Sequence, residues 1–347
     1  MIDIIIPYYN DREGLFKCLS SIAAQTVKRT FQVTVVDDCS DESVQDIIDF
    51  FSEWIFIDYI RLDTRHKYPG LVRQEGINAT HNEYIMFVDS DDILSNEAID
   101  SACIAISQSQ SPFIQGFFMQ QIAGPNGKQL VQKTNEITWL HGNIYKRSFL
   151  EKHNIKFMSG YNEDMAFNIL CRLYAMPNDI CQKNMYYWLY NDKSLTREED
   201  GGYAREGNKD YVFNLMTSYI QLIQTIVKPD KRALLSSQIG CSIAVFYEHF
   251  VNTETKYKDK GNADKIPGFR ETYFGTYRLF AKDINEFLAN YISEFKLGFC
   301  QTYLTRNWNG EPSYTINEFL DQMGIDIKIE PEDFKKINQP AGSNVNA

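Results

Sequence analysis

Apolar and polar positions alternate between two periods along the first hundred residues. Residues 2–7 form a run that is apolar apart from Asp3, the pattern of a buried strand, and Asp11 stands where it can cap a helix whose Leu15, Leu19 and Ile22 recur at i, i+4 and i+7. Residues 31–36 repeat the strand pattern. After Ser40, Val44, Ile47, Ile48 and Phe51 again line one helical stripe. A third strand is expected over 55–62, a helix over 70–79, and a fourth strand over 84–88 that runs directly into Asp89-Ser90-Asp91-Asp92. Strands alternating with amphipathic helices predict an α/β sheet covered on both faces.

The pattern changes at Pro112. Strands are expected around the turn Gly124-Pro125-Asn126-Gly127, then a segment over 139–149, a helix over 163–175 and a closing strand near 186–190. Glu198-Glu199-Asp200 and Gly201-Gly202 read as a linker, and long helical patterns follow to about Met323. The expected organisation is an α/β domain over 1–198, with a ligand-binding half over 1–110 and an acceptor half over 111–198. A helical domain follows over 203–330, and a disordered tail over 331–347.

Composition narrows the function classes. A chain of 347 residues that is 44% hydrophobic can fill more than one core. No apolar run approaches the roughly 20 residues that a membrane span needs, and no basic leader or small-residue cleavage site precedes the first strand, so a cytoplasmic protein is expected. Seven scattered cysteines without a C-x-x-C pair predict free thiols. A formal charge of -11 disfavours nucleic acid as a partner but suits acidic sites that recruit metal ions. Within 228–282, ten Lys or Arg face six Asp or Glu, a local excess compatible with peripheral contact to an anionic membrane or polymer, although an ordinary solvated face is the favoured reading. Tyr273, Tyr277 and Phe280, at helical spacing, point to core packing or to a homo-oligomer formed through the C-terminal helices in preference to a carbohydrate platform.

In open α/β sheets the ligand crevice lies outside the carboxyl ends of the strands, so 7–11, 37–41 and 89–92 should converge. A carboxylate cluster there suits Mg2+ or Mn2+. An isolated D-x-D is also what caps a following helix, so its context has to decide.

That context is Ile4-Ile5-Ile6-Pro7-Tyr8-Tyr9-Asn10, then Val33-Thr34-Val35-Val36-Asp37-Asp38-Cys39-Ser40-Asp41, then Glu83-Tyr84-Ile85-Met86-Phe87-Val88-Asp89-Ser90-Asp91-Asp92, with Leu19-Ser20-Ser21-Ile22-Ala23-Ala24-Gln25-Thr26 between the first two. In order and spacing, residues 1–198 resemble the family 2 inverting glycosyltransferases of the GT-A fold. The resemblance implies a Rossmann-like nucleotide-binding sheet, with the mostly α-helical C-terminal region as an addition to it. It implies that Pro7, Tyr9 and Asp11 shape the nucleotide pocket and that Asp38 accepts a hydrogen bond from the base, favouring uracil. Arg73, in Arg73-Gln74-Glu75-Gly76 after Gly70, would lie at the nucleotide, although Gln74 replaces the usual Asn. Asp89 would meet the ribose side and Asp91 the metal, with Asp92 left as a helix cap.

Gly160-Tyr161-Asn162-Glu163-Asp164 resembles the family's glutamate-aspartate motif, which makes Asp164 the general base and Glu163 an acceptor-binding or orienting group. A Glu-Asp pair in a first helical turn is also favoured by the macrodipole alone. Trp139 and His141 fall in the segment that can line the sugar pocket, with core packing as the competing role. Tyr186 to Tyr190 with Ser194-Leu195-Thr196-Arg197 resembles the closing strand and a loop over the diphosphate. The implied reaction moves a sugar from a nucleoside-diphosphate donor, expected to be a UDP-sugar, to a hydroxyl of a saccharide, polymer or lipid-linked acceptor, with inversion and a Mn2+ or Mg2+ ion. The alternatives are a nucleotidyltransferase, which would want a basic Gly-rich loop that residues 7–14 do not provide, and a silent carbohydrate-binding scaffold of the same fold.

Overall fold

The computed structural model describes residues 1–27, 30–124, 127–133, 139–191, 202–306 and 310–337, with side chains of 202–208 left aside. The chain divides into two compact units, Met1–Glu199 and Asp200–Ala347.

The first unit is built on a nine-stranded mixed sheet in the order β3-β2-β1-β4-β8-β6-β9-β5, with β7 pairing β6. Its strands are β1 (Ile2–Tyr8), β2 (Phe31–Asp37), β3 (Ile57–Arg61), β4 (Tyr84–Phe87), β5 (Ile93–Leu94), β6 (Phe113–Gly124), β7 (Gly127–Lys133), β8 (Ile144–Lys146) and β9 (Asp179–Trp188). The half formed by β3, β2, β1 and β4 is parallel. β8 runs antiparallel between β4 and β6. The helices are α1 (Arg12–Ala23), α2 (Gln45–Ser52), α3 (Pro69–Ala79), α4 (Ala98–Gln108), α5 (Arg147–Lys152) and α6 (Glu163–Ala175).

Period-two alternation explains how the sheet takes helices on both faces. Ile2, Ile4, Ile6 and Tyr8 of β1 and Phe31, Val33 and Val35 of β2 share one core with Leu15, Leu19 and Ile22 of α1, Ile47, Ile48 and Phe51 of α2, and Ile99 and Ala102 of α4. Ile5 points the other way, and α3 lies so close that a Cβ on Gly76 would sit 2.3 Å from its Cγ2. On that second face Phe157 stacks on Phe167 of α6 at 4.1 Å, and Phe87 of β4 meets Tyr145 at 5.5 Å. Each fully buried ring or branched chain contributes roughly 1.5–3 kcal/mol, so the base of α6 is held to β4 and β8 by packing.

The second unit contains α7 (Gly202–Thr225), α8 (Pro229–Asp259), α9 (Ile266–Arg278), α10 (Ala281–Leu288), α11 (Ile292–Leu304), α12 (Ile316–Met323) and α13 (Pro331–Ile337). α8 and α11 approach backbone to backbone, because a Cβ on Gly298 would fall 2.0 Å from the Ser237 carbonyl oxygen. Tyr273 and Tyr277 are 2% exposed and belong to this unit's core. No described helix is long and apolar enough to cross a membrane.

Three expectations are corrected. The tail does not begin at 331: Pro331 sits at the start of α13 with Glu332 and Asp333 in its first turn, and Lys296 Nζ reaches Asp333 Oδ2 at 2.8 Å. Asp92 is no helix cap, since α4 begins at Ala98 after Glu97. The closing strand starts at Asp179, ahead of the expected Tyr186, because β6 supplies it with a parallel partner from Ile114 onward. Of the linker expected over 198–202, residues 198–201 lie outside the described residues and Gly202 begins a helix; the loop at 194–197 and the turn residues Pro125 and Asn126 also lie outside them.

Candidate active site

β1, β2 and β4 are parallel and in register, with Tyr8 opposite Asp37, so their carboxyl ends share one edge. The loops that follow are tied together. Asn10 Nδ2 donates to Asp41 Oδ2 at 2.9 Å, the Asp41 N–H returns to Asn10 Oδ1 at 2.9 Å, and the Asn10 N–H reaches Ser40 Oγ at 3.1 Å. The third loop turns tightly, with the Asp92 N–H on the Asp89 carbonyl at 3.1 Å. The three segments therefore converge as the strand pattern predicts.

Around that turn the structure groups Asp89, Asp92 and His141, whose ligand atoms lie within 4.8 Å of one another. His141 Nε2 is 3.7 Å from Asp89 Oδ2 and 4.0 Å from Asp92 Oδ2. Asp92 is 1% exposed, and both its oxygens are engaged, by the Tyr186 hydroxyl at 2.7 Å and the Leu189 N–H at 2.7 Å. Asp91 is only half-buried and accepts from Asn191 Nδ2 at 2.8 Å. Burial, then the charges of Asp91 and Asp89, push the Asp92 carboxyl well above its usual range; burial and then Asp89 raise Asp91. A buried group of acids whose charges oppose one another favours a cation. Buried His141 also leaves its Nδ1 without a hydrogen-bond partner, and a site of carboxylate oxygens with one imidazole suits a divalent ion.

Arg73, 6% exposed, connects this turn to α6. One guanidinium nitrogen donates to Asp89 Oδ1 at 2.5 Å and the other to Glu163 Oε1 at 3.0 Å. Burial opposes the guanidinium charge, yet Asp89 and Glu163 outweigh it and raise its pKa; burial opposes the Asp89 charge too, and there Arg73 and His141 prevail and hold its carboxyl well below the usual range. Glu163 fits because residue 70 has no side chain: a Cβ there would fall 2.2 Å from Glu163 Cγ. Next along α6, Asp164 is half-buried, and its Oδ1 accepts the Met165 N–H at 2.8 Å. Dense surroundings and then the charge of Glu163 push it up to about 8, with Arg73 pulling the other way.

Of the residues expected at the nucleotide, Pro7, Tyr9, Asp11 and Asp38 lie in and just after β1 and β2. Pro7 is buried in β1 opposite Val36, Asp11 caps α1 through the Gly14 N–H at 3.0 Å, and the Tyr9 ring carries the Arg65 guanidinium at 3.8 Å. Asp38 is buried and takes the N–H groups of His66 at 2.6 Å and Lys67 at 3.0 Å. Arg73 is directed to the carboxylates, with both terminal nitrogens engaged. His141 stacks on Tyr186 at 4.4 Å and on Trp139 at 5.8 Å, while Trp139 packs on Trp188 at 4.5 Å.

Residues 3–170 match the family model described as Glycosyl transferase family 2. The first unit belongs to that family. Over 202 residues, 53% of this chain and 35% of the relative, it is 26% identical to the poly(ribitol-phosphate) beta-N-acetylglucosaminyltransferase TarS of Staphylococcus aureus. Over 206 residues, 54% of this chain and 32% of the relative, it is 29% identical to a poly(ribitol-phosphate) beta-glucosyltransferase of Bacillus spizizenii. The aligned region thus covers about a third of each of these proteins. The crystal structure of S. aureus TarS 1-349 in complex with UDP-GlcNAc shares the fold, with a TM-score of 0.65, 18% identity, and coverage of 93% of this chain and 89% of that one. The family 2 domain accordingly has the expected GT-A sheet, with a helical region following it.

Within this family 2 domain, three contributions are not legible in the sequence. Asp92 is visible in the acidic run, but its local signal equals that of a cap. Tyr186 reaches back 94 positions to Asp92, and the Arg73 link to Glu163 spans 90; neither leaves a mark in local periodicity.

Proposed function

We propose that this chain transfers a hexosyl residue from a UDP-sugar to a hydroxyl of a polyol-phosphate polymer, with inversion at the anomeric carbon. The observation that carries this reading is that one guanidinium joins Asp89 of the acidic turn to Glu163, the neighbour of Asp164. Asp164 accepts the acceptor hydroxyl's proton as that oxygen bonds to the anomeric carbon, the bond from that carbon to the diphosphate oxygen breaks, and UDP leaves. A positioned base of this kind is worth roughly 10²- to 10⁴-fold. Its raised pKa suits the task, because a weakly acidic carboxyl is a stronger base once ionised.

Glu163, fixed by Arg73, positions α6 and binds acceptor. Asp38 keeps lone pairs beyond the two already used, so it can still accept the uracil ring N–H. Pro7, Tyr9 and Asp11 frame the nucleotide, and Trp139 with His141 walls the sugar. A Mn2+ or Mg2+ ion would be held by Asp91, the least engaged of the three aspartates, together with Asp89 and His141, and would offset charge on the departing diphosphate. Asp92 anchors the turn to β9. The relatives' names support a polyol-phosphate acceptor, and the UDP-GlcNAc complex of the similar structure supports a UDP-sugar donor. The seven free cysteines support a reducing, cytoplasmic setting.

The test is UDP release from UDP-GlcNAc and UDP-glucose with Mn2+ and poly(ribitol phosphate), followed by NMR of the product. Transfer with a β-linked product from the α-configured donor is expected. No release with any donor, or a retained anomer, would sink the reading.

A further inference from the structure

The second unit has a cleft of its own, of about 360 Å³. Lys209 of α7, Tyr257 of α8, and Lys265, Phe269, Thr272 and Tyr273 at α9 line it. Its floor is aromatic and fixed: Phe269 lies 5.9 Å from Tyr257 and 5.3 Å from Tyr273, whose hydroxyl donates to the Phe246 carbonyl at 2.9 Å. Its rim is polar, with Lys209, Lys265 and Thr272 exposed together with one carboxylate, Asp264, so the two ammonium groups outnumber the single acid.

The charge here runs against the rest of the chain. Residues 256–265 hold Lys256, Lys258, Lys260 and Lys265 against Asp259 and Asp264, in a protein of net charge -11. Arg270 is committed to Glu254 at 2.5 Å, whereas Lys209, Lys256, Lys258 and Lys265 form no ion pair with any described residue. Unpaired ammonium groups beside a concave aromatic floor match a chain that alternates phosphate with carbon: oxyanions meet the lysines and the polyol carbons lie on the rings. A neutral glycan has no use for the lysines, and a flat bilayer does not enter a cleft.

We infer that this cleft is a docking site for the phosphodiester backbone of the polymeric acceptor, separate from the reacting hydroxyl. The inference rests on the acceptor class proposed above. A second grip on one chain raises the local concentration of its hydroxyls without any change in the chemistry.

Gly268 allows a clean test, because a Cβ placed there meets nothing within 4 Å, and a glutamate in the first turn of α9 favours the helix. Full-chain Gly268→Glu and the double variant Lys209→Glu/Lys265→Glu are compared with wild type on poly(ribitol phosphate) and on ribitol 5-phosphate, and polymer binding is read separately by affinity electrophoresis. The expected result is a KM for polymer raised roughly tenfold or more, with kcat and the rate on ribitol 5-phosphate unchanged and polymer retardation weakened. An unchanged polymer KM, or an equal loss on both acceptors, overturns the site. If wild type transfers to neither acceptor, the proposed function fails, and lysine-dependent retardation by polymer decides the docking site alone. Lysine-dependent binding to phosphatidylglycerol vesicles or to single-stranded RNA, with polymer retardation unaltered, also overturns it.

Discussion

Arg73 and Glu163, 90 positions apart in sequence, meet at 3.0 Å in the interior of the first unit, while the same guanidinium holds Asp89. The acidic turn after β4 and the first turn of α6 are thereby fastened to one planar group. Position, and not only charge, is what this arrangement supplies to Asp164.

Arg73→Lys should retain the charge and lose the fork, because an ammonium cannot present two parallel donors to separated carboxylates. We expect the transfer rate to drop by about 10²-fold or more with the fold kept. Arg73→Met leaves two inward-facing acids uncompensated and should cost about 3–5 kcal/mol. Urea unfolding midpoints alongside initial rates separate the two effects; equal rates for Arg73→Lys and wild type would count against the bridge.

Gly70→Ala is the corresponding steric variant. Its methyl group would collide with Glu163, so the bridge should loosen although no reacting group has changed. Overpacking of this kind costs about 1–3 kcal/mol, and kcat should fall with little change in UDP affinity, measured by calorimetry.

Asp164→Asn is expected to bind UDP-sugar normally and to lose about 10²- to 10⁴-fold in transfer. Donor affinity from calorimetry and single-turnover rates give the comparison. Turnover near that of wild type would remove Asp164 from the mechanism.

The pH profile follows from the same residue. The base works ionised and its carboxyl is raised to about 8, so kcat/KM should climb with pH and level off above that value. Stability should move in the opposite direction. The folded state holds this proton more tightly than the unfolded chain does, so Asp164's contribution falls as pH rises from the ordinary carboxylate range through about 8. Thermal midpoints of Asp164→Asn should show a shallower decline across that window.

Metal titration distinguishes the three aspartates. Asp91→Asn should weaken Mn2+ binding in the presence of UDP, followed by electron paramagnetic resonance, at least about tenfold, as should His141→Ala. Asp92→Asn should chiefly lower the unfolding midpoint, because its oxygens hold Tyr186 and Leu189. The reverse ranking of Asp91 and Asp92 would reassign the ligand.

Local chemistry makes much of this fold readable. β1 announces itself by unbroken burial and β2 by burial interrupted only at Gln32, α1 by its cap and stripe, and α6 by a first turn that begins at Glu163 as expected. β9 is legible only in its aromatic end: its opening residues Asp179, Gln182, Lys183 and Asn184 are polar, and it is pairing with β6 that makes them a strand. The Asn, Gly and Ser of the last residues mask Pro331-Glu332-Asp333, a good helix start, and so the tail is placed too early. The bridge by Arg73 cannot be read, since its two carboxylates belong to segments that only the tertiary fold brings together.

The hydroxyl of Tyr186, near the end of β9, closes on Asp92 and on the N–H of Asp89. A ribosome that has released only the first four strands has therefore made the three-loop edge without the aromatic residues of β9 or Asp164 of α6. Long-range closures of this sort are slow to form, so catalytic competence is a late event in the life of the nascent chain, and a fragment ending before β9 should leave the acidic turn open to water.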